Sequence, residues 1–270
     1  MTREDIIARV DKLAAALREL TRPQLEFIKS VVDQFREPFI KIERHPESDL
    51  VDDRLLRDFG DVLRIHHCFS KESLSKDRFE YAFERILNQC GKRAALAAKG
   101  NPGHDITIEG VPCSLKTQAD ANIKEDKLHI SKFMELGKGH WSARVKDLEG
   151  LRDQFFEHMT AYERIFSLRC LSKDPARWHY ELVEIPKALL EEAKDGKLSI
   201  RRQSTQSPKP GYCDVKESRG ELKYQLYFDG GTERKLQIKN LRKELCTVHA
   251  TWIFATEPED ATEQALGEPG

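Results

Sequence analysis

The sequence predicts an α/β protein in which a mixed central sheet is flanked by helices, with a helical N-terminal region and a strand-rich C-terminal region. Three observations carry that prediction. Apolar residues recur at helical spacing from Ile6 to Cys90, a short alternating hairpin follows at 105–118, and strand-length apolar runs separated by turns fill 165–255.

Residues 1–36 read as two helices. Ile6, Val10, Leu13, Leu17 and Leu20 mark the first, and Thr21 caps a second that carries Leu25, Ile28, Val32 and Phe35. Residues 38–53 read as an irregular connection and 54–66 as a further helix. Ser75 starts a strong helix whose stripe is Phe79, Phe83, Ile86, Leu87 and Cys90, with Glu80 and Glu84 beside it. Lys99-Gly100-Asn101-Pro102-Gly103 then breaks the chain and delivers the hairpin. Helices are expected over 124–136 and 148–162, then strands at 165–171 and 178–185. Pro186 opens a short helix that Gly196 closes. Strands follow at 198–202, 211–215 and 223–228, then, after the turn Asp229-Gly230-Gly231, at 235–238 and 247–255. The acidic stretch 257–270 is expected to fray.

Composition narrows the class. With 34% charged and 39% hydrophobic residues the chain reads as soluble and large enough to bury a core. No apolar run approaches the ~20 residues of a membrane span, and the charged N-terminus is no signal peptide. The six cysteines (68, 90, 113, 170, 213, 246) stand more than twenty residues apart. That spacing offers no CxxC site and no compact disulfide framework, so a reducing cytoplasm is the expected compartment. Residues 197–243 hold 12 Lys/Arg against 5 Asp/Glu, a local +7 on a chain whose net charge is −1. A basic segment of this kind fits either a polyanion-facing surface or a solvated strand face. Glycine-rich phosphate loops, GxSxG elbows and HExxH helices are absent from the sequence.

The stretch Asn101–Gln118, NPGHDITIEGVPCSLKTQ, is the most informative. If Glu109-Gly110 makes the turn, Ile108 pairs with Val111, Asp105 falls opposite Ser114, and Lys116 lies two residues along on the same face. Opposed residues have Cβ atoms roughly 5 Å apart. An acid, a hydroxyl and an amine so gathered can hold a divalent metal beside a scissile phosphate. The same residues also suit an ordinary cross-strand ion pair on a solvent face, worth under about 1 kcal/mol.

Asp105, eight residues, then Ser114-Leu115-Lys116 resembles the PD-(D/E)XK nuclease motif, with His104 in place of proline and Ser114 in place of the second acid. Over residues 75–136 the chain is similar to type II restriction endonucleases of that superfamily, some of which carry a Ser-x-Lys version. The resemblance implies a restriction-endonuclease-like catalytic core over 71–185, after a helical region at 1–70 and before a basic, DNA-contacting region at 186–256. It implies site-specific hydrolysis of double-stranded DNA with Mg²⁺. A homodimer follows from the reaction, since two identical subunits on a two-fold axis cut both strands of a symmetric site.

Asp105 is then the main metal ligand, with the Leu115 carbonyl as second contact. Lys116 orients a water attacking phosphorus, and Ser114 holds a metal-bound water. Gln118 continues the face toward the nucleophile or a phosphate, and His104 either contacts phosphate or tunes the site, although a histidine at a hairpin entry is more often structural. With Ser114 at the second acid position, a helix must lend a carboxylate: Glu84 is the first choice, and Glu135, closing the expected 124–136 helix, the second. A repair or mobile-element nuclease, and a non-catalytic DNA-binding protein, remain open alternatives.

For DNA contact the loop Arg201-Arg202-Gln203 to Lys209 offers residues that read base edges and bind phosphates, and Lys235, Lys239, Arg242 and Lys243 are spaced to track a backbone. His66-His67 has no partner at ligand spacing and reads as structural.

Overall fold

Helical spacing in the N-terminal third folds as helix because each segment has a starting cap and one apolar face. The computed structural model describes residues 2–98, 103–120, 123–137, 141–142 and 144–256. The expected break at Lys99–Pro102 and the acidic stretch 257–270 lie outside those residues. Four helices come first: α1 (Arg3–Leu17), α2 (Arg22–Arg36), α3 (Asp53–Phe69) and α4 (Lys76–Gln89). Thr2 and Asp5 form a reciprocal capping box, the Asp52 carboxylate accepts the Arg54 and Leu55 N–H groups, and the Ser75 hydroxyl accepts from Arg78 N–H. The connection between α2 and α3 contains a short strand, β1 (Lys41–Arg44).

Next come β2 (Ala94–Leu96), β3 (Ile106–Ile108), β4 (Val111–Gln118), β5 (Lys127–Glu135), α5 (Val145–Met159), β6 (Arg164–Asp174) and β7 (Arg177–Glu184). The short α6 (Lys187–Glu191) runs on into a 3₁₀ turn. The last strands are β8 (Lys197–Ile200), β9 (Gly211–Lys216), β10 (Leu222–Asp229), β11 (Lys235–Arg242) and β12 (Thr247–Phe254).

Two sheets result. One has seven strands in the order β1-β12-β7-β6-β4-β3-β2, and β4–β6 is its one parallel pair among the described residues. The other is antiparallel, in the order β5-β11-β10-β9-β8. The larger sheet is the middle layer. On one side α3 and α4 bury Phe59, Leu63, Phe79 and Phe83 against Leu115, Phe166, Leu182 and Trp252. On the other, Ile165, Val183 and Ile185 meet α5 and the smaller sheet through Phe155, Ile130, Leu226 and Ile238. Both clusters are almost wholly removed from water, the dominant favourable contribution to folding. Among the described residues no helix is long and apolar enough to cross a membrane.

The expected helix over 124–136 is a strand. Residues 127–135 hold Leu128, Ile130 and Phe133 in the core and pair antiparallel with β11, Ile130 opposite Ile238. Intrinsic preference is weak in this short mixed segment, and the open edge of β11 decides its structure.

Candidate active site

The hairpin of β3 and β4 has the predicted register. Glu109 and Gly110 both take positive φ, 50° and 84°, as a two-residue hairpin turn requires. Glu109 tolerates that conformation while its carboxylate accepts the Arg93 N–H at 2.6 Å. Ile108 pairs with Val111 and Ile106 with Cys113. Asp105 continues that ladder, its N–H bonding to the Cys113 carbonyl at 3.0 Å, which sets it across from Ser114.

Asp105 is heavily engaged. Its Oδ2 accepts from the Leu115 N–H at 2.6 Å and from the Ser114 hydroxyl at 3.1 Å, and its Oδ1 accepts from the Lys76 ammonium at 2.7 Å. Burial opposes its charge, but Lys116, Lys76 and the Leu115 N–H together hold its carboxyl below the usual range. Lys116 is only 8% exposed, with its ammonium 5.3 Å from the centre of the Phe133 ring. Burial pushes it down to about 8, against the pull of Asp105. Its ammonium makes no hydrogen bond among the described residues. With Lys76 and Lys132 it lines a cavity of about 350 Å³, which Thr117, Ser131 and Phe133 complete.

Of the two glutamates on α4, Glu80 shares the Lys76 ammonium with Asp105, whereas Glu84, the expected donor, is engaged elsewhere. Glu80 Oε1 lies 3.0 Å from the Lys76 ammonium, which also holds Asp105, and Glu80 feels Lys116 electrostatically. Glu84, one turn on, sits over β2 and accepts the Leu96 N–H at 3.0 Å. Asp105 leads into β3, the neighbour of β2, and its carbonyl accepts the Ala97 N–H at 3.0 Å, so what sets Glu84 apart is its bond to the Leu96 N–H and not its strand. Glu135, expected to close a helix, ends strand β5, and its exposed carboxylate pairs with Lys132 at 2.8 Å. Gln118 shares the face of Lys116, but its carbonyl accepts from Arg169 Nε at 3.0 Å. Arg169 also pairs with Glu181 and bonds the carbonyls of Lys124, Glu125 and Lys127, so Gln118 belongs to a buried brace. His104 faces Thr107, 3.2 Å from its hydroxyl.

Sequence reasoning missed Lys76, Lys132, His158 and Tyr162. Lys76 is the first residue after the Ser75 cap, and a Lys-Glu pair at i,i+4 was the available signal for it and Glu80. His158 and Tyr162 stack edge to face at 5.5 Å on the inner side of the site, where both feel Asp105. Burial, then Lys116, pushes His158 down to about 4. His158 Nε2, Tyr162 Oη and Ser167 Oγ are buried without a partner among the described residues.

The basic residues divide. Arg201, Arg202 and Gln203 are exposed and carry no ion pair among the described residues. The Lys209 ammonium donates to the Ser204 carbonyl, closing the loop on itself. Lys239 lies in β11, its ammonium 3.8 Å from the Tyr227 ring centre. Arg242 is taken up by Glu217 at 2.7 Å and by Glu221 and Glu244, and Lys243 by Glu181 at 2.8 Å. A second acidic cluster, Asp49, Glu184 and His249, brings three potential ligand atoms within 4.8 Å of one another, and Arg164 bonds both carboxylates there.

An acid and a buried lysine on a β-hairpin, with a second acid on the neighbouring helix, fit a metal-assisted hydrolase, and comparison with known proteins identifies the family. The family described as SmaI, type II site-specific deoxyribonuclease, matches residues 13–254. The chain belongs to this family, and it is a type II site-specific deoxyribonuclease of a restriction system. The type II restriction enzyme SmaI of Serratia marcescens is 48% identical over 219 residues, which is 81% of this chain and 87% of that protein. No solved structure matches.

Proposed function

We propose that this restriction endonuclease cleaves duplex DNA with Mg²⁺ held by Asp105, Glu80 and the Leu115 carbonyl, with Lys116 beside it. The observation that carries this reading is the Asp105–Glu80 pair, bridged by one ammonium and set next to a buried lysine that makes no hydrogen bond among the described residues. The donor set fits the ion. Carboxylate and carbonyl oxygens are hard ligands, and Mg²⁺ binds through one or two carboxylates with phosphate oxygens and waters. When bound, the metal supplies charge to the phosphate and lowers the pKa of a water.

The chain's own residues do the rest. Ser114 and the Leu115 N–H fix the Asp105 carboxylate, so its free lone pairs point in a set direction. Lys116, walled by Phe133, faces the cavity with its protons unspent and orients the attacking water or steadies charge on the phosphate. Lys132 draws the backbone into the same cavity. On the smaller sheet, Lys239 lies over the buried Tyr227 ring, which also feels Arg201, on the side of β10 and β11 that Gln225 shares. This face, with Arg202 and Gln203, meets the duplex, while Arg242 and Lys243 serve the fold. Two copies act together, one per strand. The apolar stripe of α1 supports a pairing surface, since Ile6, Val10 and Leu13 are exposed and α1 buries no residue.

Cleavage of long mixed-sequence duplex DNA in Mg²⁺ tests the reading, with Lys116→Ala in parallel. The wild type gives discrete fragments, and the variant is slower by at least ~100-fold, as for loss of one transition-state donor. Equal cleavage by the variant refutes the assignment.

A further inference from the structure

We propose that Lys76 is the resident cation of the acid pair in the DNA-free enzyme, and that duplex DNA draws it off so that the metal can enter. This inference rests on the nuclease reading above.

The Lys76 ammonium lies 2.7 Å from Asp105 Oδ1 and 3.0 Å from Glu80 Oε1, bridging the two carboxylates proposed to hold Mg²⁺. An ammonium and a divalent ion compete for that position, because like charges that close repel strongly. Lys76 is poorly rooted elsewhere. It is the first residue of α4, where the positive end of the helix dipole disfavours a cation. Lys116 and Lys132 both repel it. Among the described residues Asp105 and Glu80 are the groups that hold it in place, and its side chain is 41% exposed on a flexible four-carbon stem.

An alternative seat is adjacent. Lys76, Lys116 and Lys132 line the same cavity of about 350 Å³, so a DNA phosphate entering it offers Lys76 a new partner. Lys76 then leaves the acids for the phosphate, and the vacated carboxylates are free for the metal. By linkage, DNA raises metal affinity and metal raises DNA affinity by the same factor, with couplings of this kind typically 5- to 150-fold. The device keeps the acids neutralised without a loaded metal until substrate is present.

Calorimetric titration of Mg²⁺ into the full chain without DNA tests the first half, using the wild type, Lys76→Met, Lys76→Arg and Asp105→Asn. Lys76→Met is expected to bind Mg²⁺ roughly 10-fold more tightly than wild type, Lys76→Arg to resemble wild type, and Asp105→Asn to lose the site. Equal or weaker binding by Lys76→Met, or no binding by any form, overturns the proposal. The second half is read from the salt dependence of DNA binding in metal-free buffer. Lys76→Met lowers the slope of log K against log salt by about one phosphate contact, and an unchanged slope overturns the transfer to phosphate. Unchanged metal affinity in a Lys76→Met enzyme that still cuts DNA sinks this inference alone. Wild-type metal binding and cleavage in Asp105→Asn sinks the site reading itself.

Discussion

Two acidic clusters sit in this molecule, and the tighter one is not the candidate active site. Asp49, Glu184 and His249 converge within 4.8 Å, but their capacity is consumed. Arg164 takes both oxygens of Asp49 at 2.9 Å and both oxygens of Glu184 at 2.8 and 2.6 Å. His249 Nε2 bonds Glu184, and its Nδ1 meets the Ser48 hydroxyl at 2.7 Å. A guanidinium already fills the place a cation would take, fixed in a planar fork. Around Asp105 the accounts stay open. One ammonium bridges the acids, Lys116 has protons to give, and three buried polar atoms nearby lie unpartnered among the described residues. Proximity of ligand types finds both clusters, and unspent capacity separates them.

The sharpest way to break that contrast is to disturb the saturated cluster and look for lost cleavage. Glu184 is held down to about 2, against burial, by Arg164 and His249. A carboxyl depressed from 4.5 in this way adds stability above pH 4.5 and loses it as pH falls toward 2, on the order of 3 kcal/mol in all. Chemical denaturation of the wild type is therefore expected to show stability falling across that window. Arg164→Met removes the partner, flattens that acid slope and costs about 3 kcal/mol at neutral pH, as for breaking a buried pair. Cleavage per folded molecule stays within a few-fold of wild type. A large loss of cleavage in a folded Arg164→Met protein would place the chemistry at the wrong cluster.

The next comparison lies within one helix. Glu80→Gln is expected to weaken Mg²⁺ binding and slow cleavage 10- to 100-fold, the usual cost of losing a group that supports a metal. Glu84→Gln removes a charged acceptor from the Leu96 N–H, which costs about 1 kcal/mol of stability and leaves the rate alone. Reversed results in the cleavage assay would restore the expectation made from sequence. The two glutamates part ways for a physical reason. Helical spacing shows that Glu80 and Glu84 flank the same stripe, but which turn meets the hairpin depends on where α4 lies across β2 and β3, a tertiary fact. The hairpin itself was legible because its turn is local chemistry: Glu109-Gly110 sets the register, and the register sets Asp105 opposite Ser114. Strand β5 was not legible, since its nine residues satisfy helical and strand patterns alike until β11 offers an edge. The saturation of Gln118 was equally hidden, because Arg169 lies 51 residues away in the chain.

The smallest effect applies the same test to the basic surface, where the sequence grouped Lys239, Arg242 and Lys243 together. Arg242 faces three carboxylates and Lys243 is bonded to Glu181, whereas Lys239 rests on Tyr227 and Arg201 is exposed without an ion pair among the described residues. A lysine or arginine whose charge is spent inside the protein releases few counterions from DNA. One that meets a phosphate contributes about one unit to the slope of log K against log salt. Binding isotherms over a range of salt are thus expected to lose about one unit of slope in Lys239→Ala and in Arg201→Ala. Arg242→Ala keeps the wild-type slope, and its loss appears instead as a small destabilisation in denaturant, because Glu217, Glu221 and Glu244 lose their shared partner. An equal drop in slope for Arg242→Ala would mean that its carboxylate partners let go on binding DNA, and the rule that spent charge marks structure would fail at this surface.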